Sequence, residues 1–331
     1  MTRFLWALIA FSATAAACFA LLPIDNRKAA SGLEPAVDPY DQSKVPLEVG
    51  PPADFKGKTI LLVAGRQSHG PGDHEFFAGT AILMNLLKQT PHVWPIMARD
   101  GWPTNEKFFD TADCVVMYMD GGGGHPAIQK PERIDTINKQ LARGCGWVNL
   151  HYAVEYPAKV GPTVQSWLGG YYETGFSWNP HWDAHIRTLP KHPITSGVKP
   201  FTINDEWYYN MRFVDDMKGI TPILQAVAPD SARKNGPEVV KKHIGENRLE
   251  TMAWAFERKD GGRSFGFTGA HFHRNWADED FRRVVVNAIL WCAKIDVPEQ
   301  GAKVDFDPAD LNKNLDKKKG EFKPILPPGK K

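Results

Sequence analysis

Cysteine is scarce: four in 331 residues, at Cys18, Cys114, Cys145 and Cys292. Their spacing matches neither a disulfide framework nor a zinc knuckle, so covalent staples and thiolate clusters are not what holds this fold. Excess charge is lacking as well. The 40 Lys and Arg are matched by 38 Asp and Glu, a net charge of +2, which gives no basis for a nucleic-acid surface or a polyanionic partner. The glycine run Gly121 to Gly124 is followed by His125 and Pro126 rather than by Gly-Lys-Ser/Thr, so it is not a phosphate loop. No internal repeat is apparent. These absences leave small-molecule chemistry as the expectation.

What is present in quantity is apolar surface. Hydrophobic residues make up 42% of the chain and aromatics 11%, enough for a large core and too much for a disordered chain. A single domain of about 240 residues with tails suits such a length. At the front, Met1-Thr2-Arg3 precedes an apolar run from Phe4 to Leu22 broken only by Ser12 and Thr14. A run of about 19 residues is long for a signal and just enough for a membrane helix. Ala15-Ala16-Ala17 and Ala20 offer cleavage sites, and Arg3 against Arg27 and Lys28 sets no clear orientation. Cys18 resembles a lipoprotein acylation site, except that Ala15 stands where leucine is expected. Residues 1–24 are thus expected to be a signal peptide or N-terminal membrane anchor. The protein is accordingly expected to be exported: periplasmic, extracellular or tethered to the membrane by that segment alone. Residues 25–55, with Pro39, Pro46, Pro51 and Pro52 among scattered charges, read as a linker. From Val297 to Lys331 lysine, aspartate and proline dominate, which reads as a solvated tail.

Between the tails, in residues 56–296, short apolar runs alternate with helical patterns, the signature of a parallel sheet covered on both faces. Strands are expected at Thr59–Ala64, Val93–Ala98, Cys114–Met119, Gly146–Leu150 and Ser264–Thr268. A helix is expected from about His74 to Thr90, and another from Pro131, with Ile134, Ile137 and Leu141 as its stripe and Gly144 as its stop. A last helix, capped by Asp278, carries Phe281, Val284, Val285, Ala288 and Ile289. The fold class is doubly wound α/β, mostly parallel, with an inserted middle segment rich in Trp, Tyr and His. Ligands of such sheets bind beyond the carboxyl ends of the strands. Cys114 and Cys292 fall on core positions and read as buried thiols.

Those strand ends carry histidine repeatedly. Ser68-His69-Gly70 and His74-Glu75 follow the first strand, Asp120 and His125 flank the glycines after the third, His151 follows the fourth, and His271 and His273 the late one. A single histidine is more often structural than catalytic, but the shared placement points to function for the set. Gly122 and Gly123 free the backbone to approach a ligand. In the middle segment His181 and His185 sit four apart in a stretch where Pro180 and Trp182 argue against a helix, so they are a poor metal pair. Asp205-Glu206-Trp207-Tyr208-Tyr209 sets acids beside aromatics, a mix that suits sugar hydroxyls and ring faces.

The stretches ILLVAGRQSHGPGDHEF, MDGGGGHP, GCGWVNLH, HPITSG, NDEWYYNMRF and GRSFGFTGAHFHRNW, spread over Lys58 to Lys294, resemble the ThuA-like, or trehalose-utilisation, proteins. The resemblance implies the flavodoxin-like sheet of the class I glutamine amidotransferase superfamily. It puts His151 at the strand-to-helix elbow where amidotransferases keep a nucleophilic cysteine, and His271 where their catalytic histidine sits. Phe272-His273 replaces the glutamate expected two residues later. Without a thiol at the elbow, glutamine hydrolysis is not expected. The expected chemistry is sugar catabolism, on an oxidised (keto) sugar or glycoside. His125, His151 and His271, with Asp120 nearby, are the expected ligands of one zinc-like divalent ion. His151, His271 and Glu206 are the expected catalytic groups, and without a metal the two histidines would serve as general base and acid. Asp120, Gly122, Gly123, Trp182, Trp207 and Tyr208 are the expected substrate contacts. A non-catalytic carbohydrate-binding protein at the cell surface, stacking sugars on Trp178, Trp182 and Trp207, is the alternative.

Overall fold

A computed structural model describes residues 38–329; the apolar run and the first part of the linker lie outside the described residues. Among the described residues eleven strands follow in order: β1 Lys58–Ala64, β2 Val93–Ala98, β3 Cys114–Tyr118, β4 Gly146–Leu150, β5 Gly170–Tyr171, β6 His181–Ile186, β7 Phe201–Glu206, β8 Arg212–Phe213, β9 Ile220–Val227, β10 Leu249–Glu257 and β11 Arg263–Phe267. Seven of them form one sheet in the order β2-β1-β3-β4-β11-β10-β9. The first five run parallel, and β10 and β9 are added antiparallel at one edge. Two small ribbons, β5-β8 and β6-β7, stand apart from it.

The sheet is buried on both faces, which is why β1 reads as a continuous apolar run. Ile60, Leu62 and Ala64 of that strand point into one core with the helices Phe76–Leu87 and Glu279–Cys292. Leu61 and Val63 point into the other, with the helices Pro131–Ala142 and Gly161–Leu168. The doubly wound, mostly parallel architecture is therefore as the alternation implies. Helix ends follow the expected chemistry too: Pro131 occupies a first-turn position, and the Asp278 carboxylate accepts from Phe281 N–H at 2.9 Å. Cys114, Cys145 and Cys292 are all buried free thiols.

Both segments flanking the domain need correction. Val45 and Leu47 pack on the core, and the Glu48 carboxylate accepts from Thr104 N–H at 2.7 Å and Asn105 N–H at 2.9 Å. The linker reading therefore fails over its described residues. The C-terminal segment is docked rather than solvated: Ala302, Val304, Leu311 and Leu315 are buried. Lys318 pairs with Glu75 at 3.2 Å, both side chains 2% exposed, and its ammonium also donates to the carbonyls of Gly70, Asp73 and His74. Composition misleads here because a few widely spaced apolar residues anchor the segment while side chains satisfy its backbone. Asn287, for example, accepts from Ala302 N–H at 2.8 Å.

Candidate functional site

Three strands of the parallel sheet, β1, β4 and β11, each feed a strained loop. His69 (φ 56°) and His74 (φ 46°) follow β1, His151 (φ 55°) follows β4, and Ala270 (φ 82°) follows β11. A left-handed non-glycine residue costs on the order of 1–3 kcal/mol and persists only where its surroundings enforce it. At His151 the strand breaks directly into a short helical turn, His151–Val154. Asp205 fixes the β11 loop: its buried carboxylate accepts from the N–H groups of Glu206 (2.8 Å), Ala270 (2.8 Å) and His271 (3.0 Å), and from the Asn275 amide (2.9 Å).

The outcome is one knot of side chains. His74 Nδ1–H donates to Asp120 Oδ1 at 2.9 Å, leaving Nε2 as a lone pair. His151 Nδ1 lies 2.9 Å from the Thr268 carbonyl, which can only accept, so Nδ1 carries the proton and Nε2 is a lone pair too. These two Nε2 atoms are 2.9 Å apart, and His74 Nε2 is also 2.9 Å from His271 Nδ1. Glu206 Oε2 closes the group at 3.2 Å from His271 Nδ1 and 3.6 Å from His151 Nε2. One ligand atom from each of the four residues lies within 4.8 Å of every other. The Tyr208 hydroxyl stands beside them, 3.3 Å from Glu206 Oε2 and 3.5 Å from His151 Nε2.

Burial keeps the first two imidazoles neutral. It pushes the His74 pKa down to about 2, with the neighbouring His69 and His271 adding to the effect. Burial likewise holds His151 well below its ordinary value, reinforced by His74. At His271 burial also acts downward, but the hydrogen bond and charge of Glu206 outweigh it and the pKa is raised. Glu206, for which burial acts upward, is lowered by the same partner.

Three clefts lie beside the knot, each lined by a residue that touches it. Asp73, 3.7 Å from His271 Nε2, lines a cleft of about 1030 Å³ with Phe272, Arg274 and Ile325. His181, 3.9 Å from Glu206 Oε1, lines one of about 640 Å³. Asp120 lines one of about 630 Å³ with Gly121, Gly124 and Arg133.

The structure brings His151, His271 and Glu206 together, and Tyr208 and Asp120 adjoin them. His125 does not. Its Nδ1 accepts from Ala127 N–H and its Nε2–H donates to the Ala153 carbonyl, both at 3.1 Å, so neither nitrogen is left for a metal. His74 joins the group instead. Trp182 and Trp207 are also displaced from the expected role: both are buried, with indole N–H groups donating to the carbonyls of Trp207 and Ile203. Gly122 is committed through its N–H to the Glu155 carbonyl, whereas Gly123 is exposed and an added Cβ there would meet nothing within 4 Å. His273 is buried. His185 pairs with Thr202 at 3.0 Å on an exposed ribbon. His74 was reachable in principle through the Asp73-His74-Glu75 triplet, but it lies ten residues past the end of β1, beyond what strand-end proximity ranks highly.

The mostly parallel sheet with helices on both faces makes this a doubly wound α/β protein, with an imidazole at the strained residue that ends its fourth strand. Within that class the chain belongs to the ThuA family: the family model described as trehalose utilisation matches residues 62–292. A ThuA-like protein from Bacteroides uniformis superposes with a TM-score of 0.53 at 14% identity, over 75% of this chain and 97% of its own. One from Parabacteroides merdae gives a TM-score of 0.51 at 15% identity, over 78% and 99%. A glutamine amidotransferase from Methylobacillus flagellatus gives a TM-score of 0.33 at 14% identity, over 65% and 70%. No curated protein matches the chain in sequence.

Proposed function

We propose that this ThuA-family protein is a metal-dependent enzyme of carbohydrate breakdown, with a zinc-like divalent ion held by His74, His151, His271 and Glu206. The observation that carries the reading is the pair of facing lone pairs, Nε2 of His74 and Nε2 of His151, 2.9 Å apart with both protons committed elsewhere. Neutral imidazoles repel in that arrangement, and a cation between them removes the repulsion. Three nitrogens and a carboxylate oxygen are a donor set that zinc-like ions accept. Tetrahedral bonds of about 2.0–2.1 Å require donors roughly 3.3 Å apart, so the 2.9 Å contacts have to open only slightly. Asp120 and the Thr268 carbonyl fix the two rings from behind, as outer partners of ligating histidines do.

When bound, such an ion polarises a carbonyl or acidifies a water. The chain's own groups orient and protonate. Tyr208 offers a hydroxyl to a substrate oxygen beside Glu206. His271 presents Nε2 toward Asp73 and the large cleft, where it can pass a proton. Glutamine hydrolysis has no thiol to work with, since the three described cysteines are buried in the core. The family's link to trehalose utilisation supports a sugar substrate, with a keto sugar or glycoside suited to carbonyl polarisation. The apolar run Phe4 to Leu22 supports action outside the cytoplasm.

The His271–Glu206 contact favours a second reading, metal-free acid–base catalysis by His151 and His271. A purely sugar-binding role loses two of its three stacking platforms to the core. Turnover of a keto-glycoside panel before and after chelation separates these. Activity lost on chelation and restored by zinc supports the metal; activity indifferent to chelation but abolished in His151→Ala supports acid–base catalysis. Binding without any product supports the sugar-binding role.

A further inference from the structure

The β6-β7 ribbon has two faces of opposite character. Trp182, Ala184, Ile186 and Ile203 turn inward and join the core. The other face carries three cross-strand rows, His181 opposite Glu206, Asp183 opposite Asn204, and His185 opposite Thr202. The second and third rows are tied together sideways, Asn204 Nδ2 donating to Asp183 Oδ1 at 2.9 Å and His185 Nδ1 meeting Thr202 Oγ1 at 3.0 Å, while His181 and Glu206 stand 3.9 Å apart. The first row ends in Glu206, one of the four converging residues. Successive rows are two residues apart, so the third lies roughly 13–14 Å from the first at about 3.4 Å per residue.

A ribbon face turned to water ordinarily carries long charged chains that discourage pairing with other strands. This one carries no lysine or arginine, and its two carboxylates, Asp183 and Glu206, stand opposite Asn204 and His181. Imidazole, amide, hydroxyl and carboxylate groups together give it both donors and acceptors, beside a cleft of about 640 Å³, a volume within the range of small-ligand sites. Trp178 flanks the same cleft, its indole N–H tied to the Ala232 carbonyl so that its orientation is set. Ser231 and Asn235 line it as well. Hydroxyls that both donate and accept, spaced along a chain, are the ligand such a face fits.

We infer that the β6-β7 face is a rail for the non-reacting units of a saccharide chain, so the substrate is a glycoside of two or more sugars. Its reacting unit lies at Glu206, and the following units extend over Asp183 and Asn204 toward His185 and Thr202. The inference rests on the reading that the His74–His151–His271–Glu206 knot is the reacting centre.

The test is calorimetry of the full chain against glucose, maltose, maltotriose, cellobiose and cellotriose, repeated on the double variant His185→Ala/Thr202→Val, with metal content measured on both proteins. The expected result is affinity that rises about tenfold or more from one unit to three in at least one linkage series. In the double variant that ratio collapses toward one. Equal affinity at every length, no binding at any length, or a ratio that survives the double variant overturns the rail. A length-dependent ratio in protein that holds no metal even after incubation with zinc leaves the rail standing and removes the metal reading; metal without the ratio does the reverse.

Discussion

Replacing Asp205 tests whether the β11 loop is held by one carboxylate. The side chain is fully buried and accepts from Glu206, Ala270 and His271 N–H groups and the Asn275 amide at 2.8–3.0 Å. Asp205→Ala strands four buried donors. At about 1–3 kcal/mol for each unsatisfied group the gross loss is roughly 4–12 kcal/mol, offset by no longer burying a charge. The net cost matches the about 3–5 kcal/mol seen when one side of a buried charged network is removed. Against a total stability of roughly 5–15 kcal/mol for an ordinary domain, the variant should be marginal. Asp205→Asn keeps one acceptor oxygen and should cost about half as much. Urea unfolding of all three proteins, followed by tryptophan fluorescence, reads the differences. A loss below about 1 kcal/mol for the alanine variant refutes the reasoning, because it would mean that water or a rearranged loop satisfies those donors without cost.

Three further outcomes are expected. Lys318→Ala leaves Glu75 buried without its ammonium and should lower stability by about 3–5 kcal/mol, read by chemical denaturation; a neutral result contradicts the docked C-terminal segment. Trp182→Ala should cost about 3–5 kcal/mol as a core truncation, with stability falling before any sugar is added; a variant of wild-type stability that has lost only sugar affinity would return Trp182 to the binding surface. Cys145 is pushed up to about 12 by burial, so it is a neutral thiol near pH 7. Cys114 and Cys292 are buried as well, and a thiol-specific reagent should label these three only after denaturant is added; labelling in the native state contradicts that burial.

The parallel strands are legible because each is an uninterrupted apolar run between turn signals, a pattern that only two-sided burial produces. The antiparallel edge is not. β9 carries Pro222 and Gln225, β10 carries Glu250 and Thr251, and both lie in the aromatic middle stretch with no clean period. The C-terminal segment escapes for a related reason, since its hold on the domain runs through Lys318, Leu311 and a handful of side-chain partners rather than through any regular element.

At the site, position along the sheet edge points to His151 and His271, and the acid–aromatic stretch points to Glu206, but neither carries information on where a side chain is aimed. His125 has a strand-end address and spends both nitrogens on backbone groups. His74 has a poor address and reaches the centre because its loop folds back, with His74 N–H donating to the His271 carbonyl at 3.0 Å. In β7 and its continuation, side chains alternate, so Glu206 faces the knot while Asp205 and Trp207 turn inward. An acid–aromatic cluster in sequence thus divides between the site and the core.

The central claim is that His74, His151, His271 and Glu206 form one cation site, and metal stoichiometry tests it most directly. Elemental analysis of purified protein, after incubation with zinc and removal of the unbound excess, should find one divalent ion per chain. His74→Ala should abolish it, and His125→Ala should retain it in whatever fraction stays folded. Protein that takes up no metal, or a His74→Ala variant that binds it as well as the parent, would contradict the account.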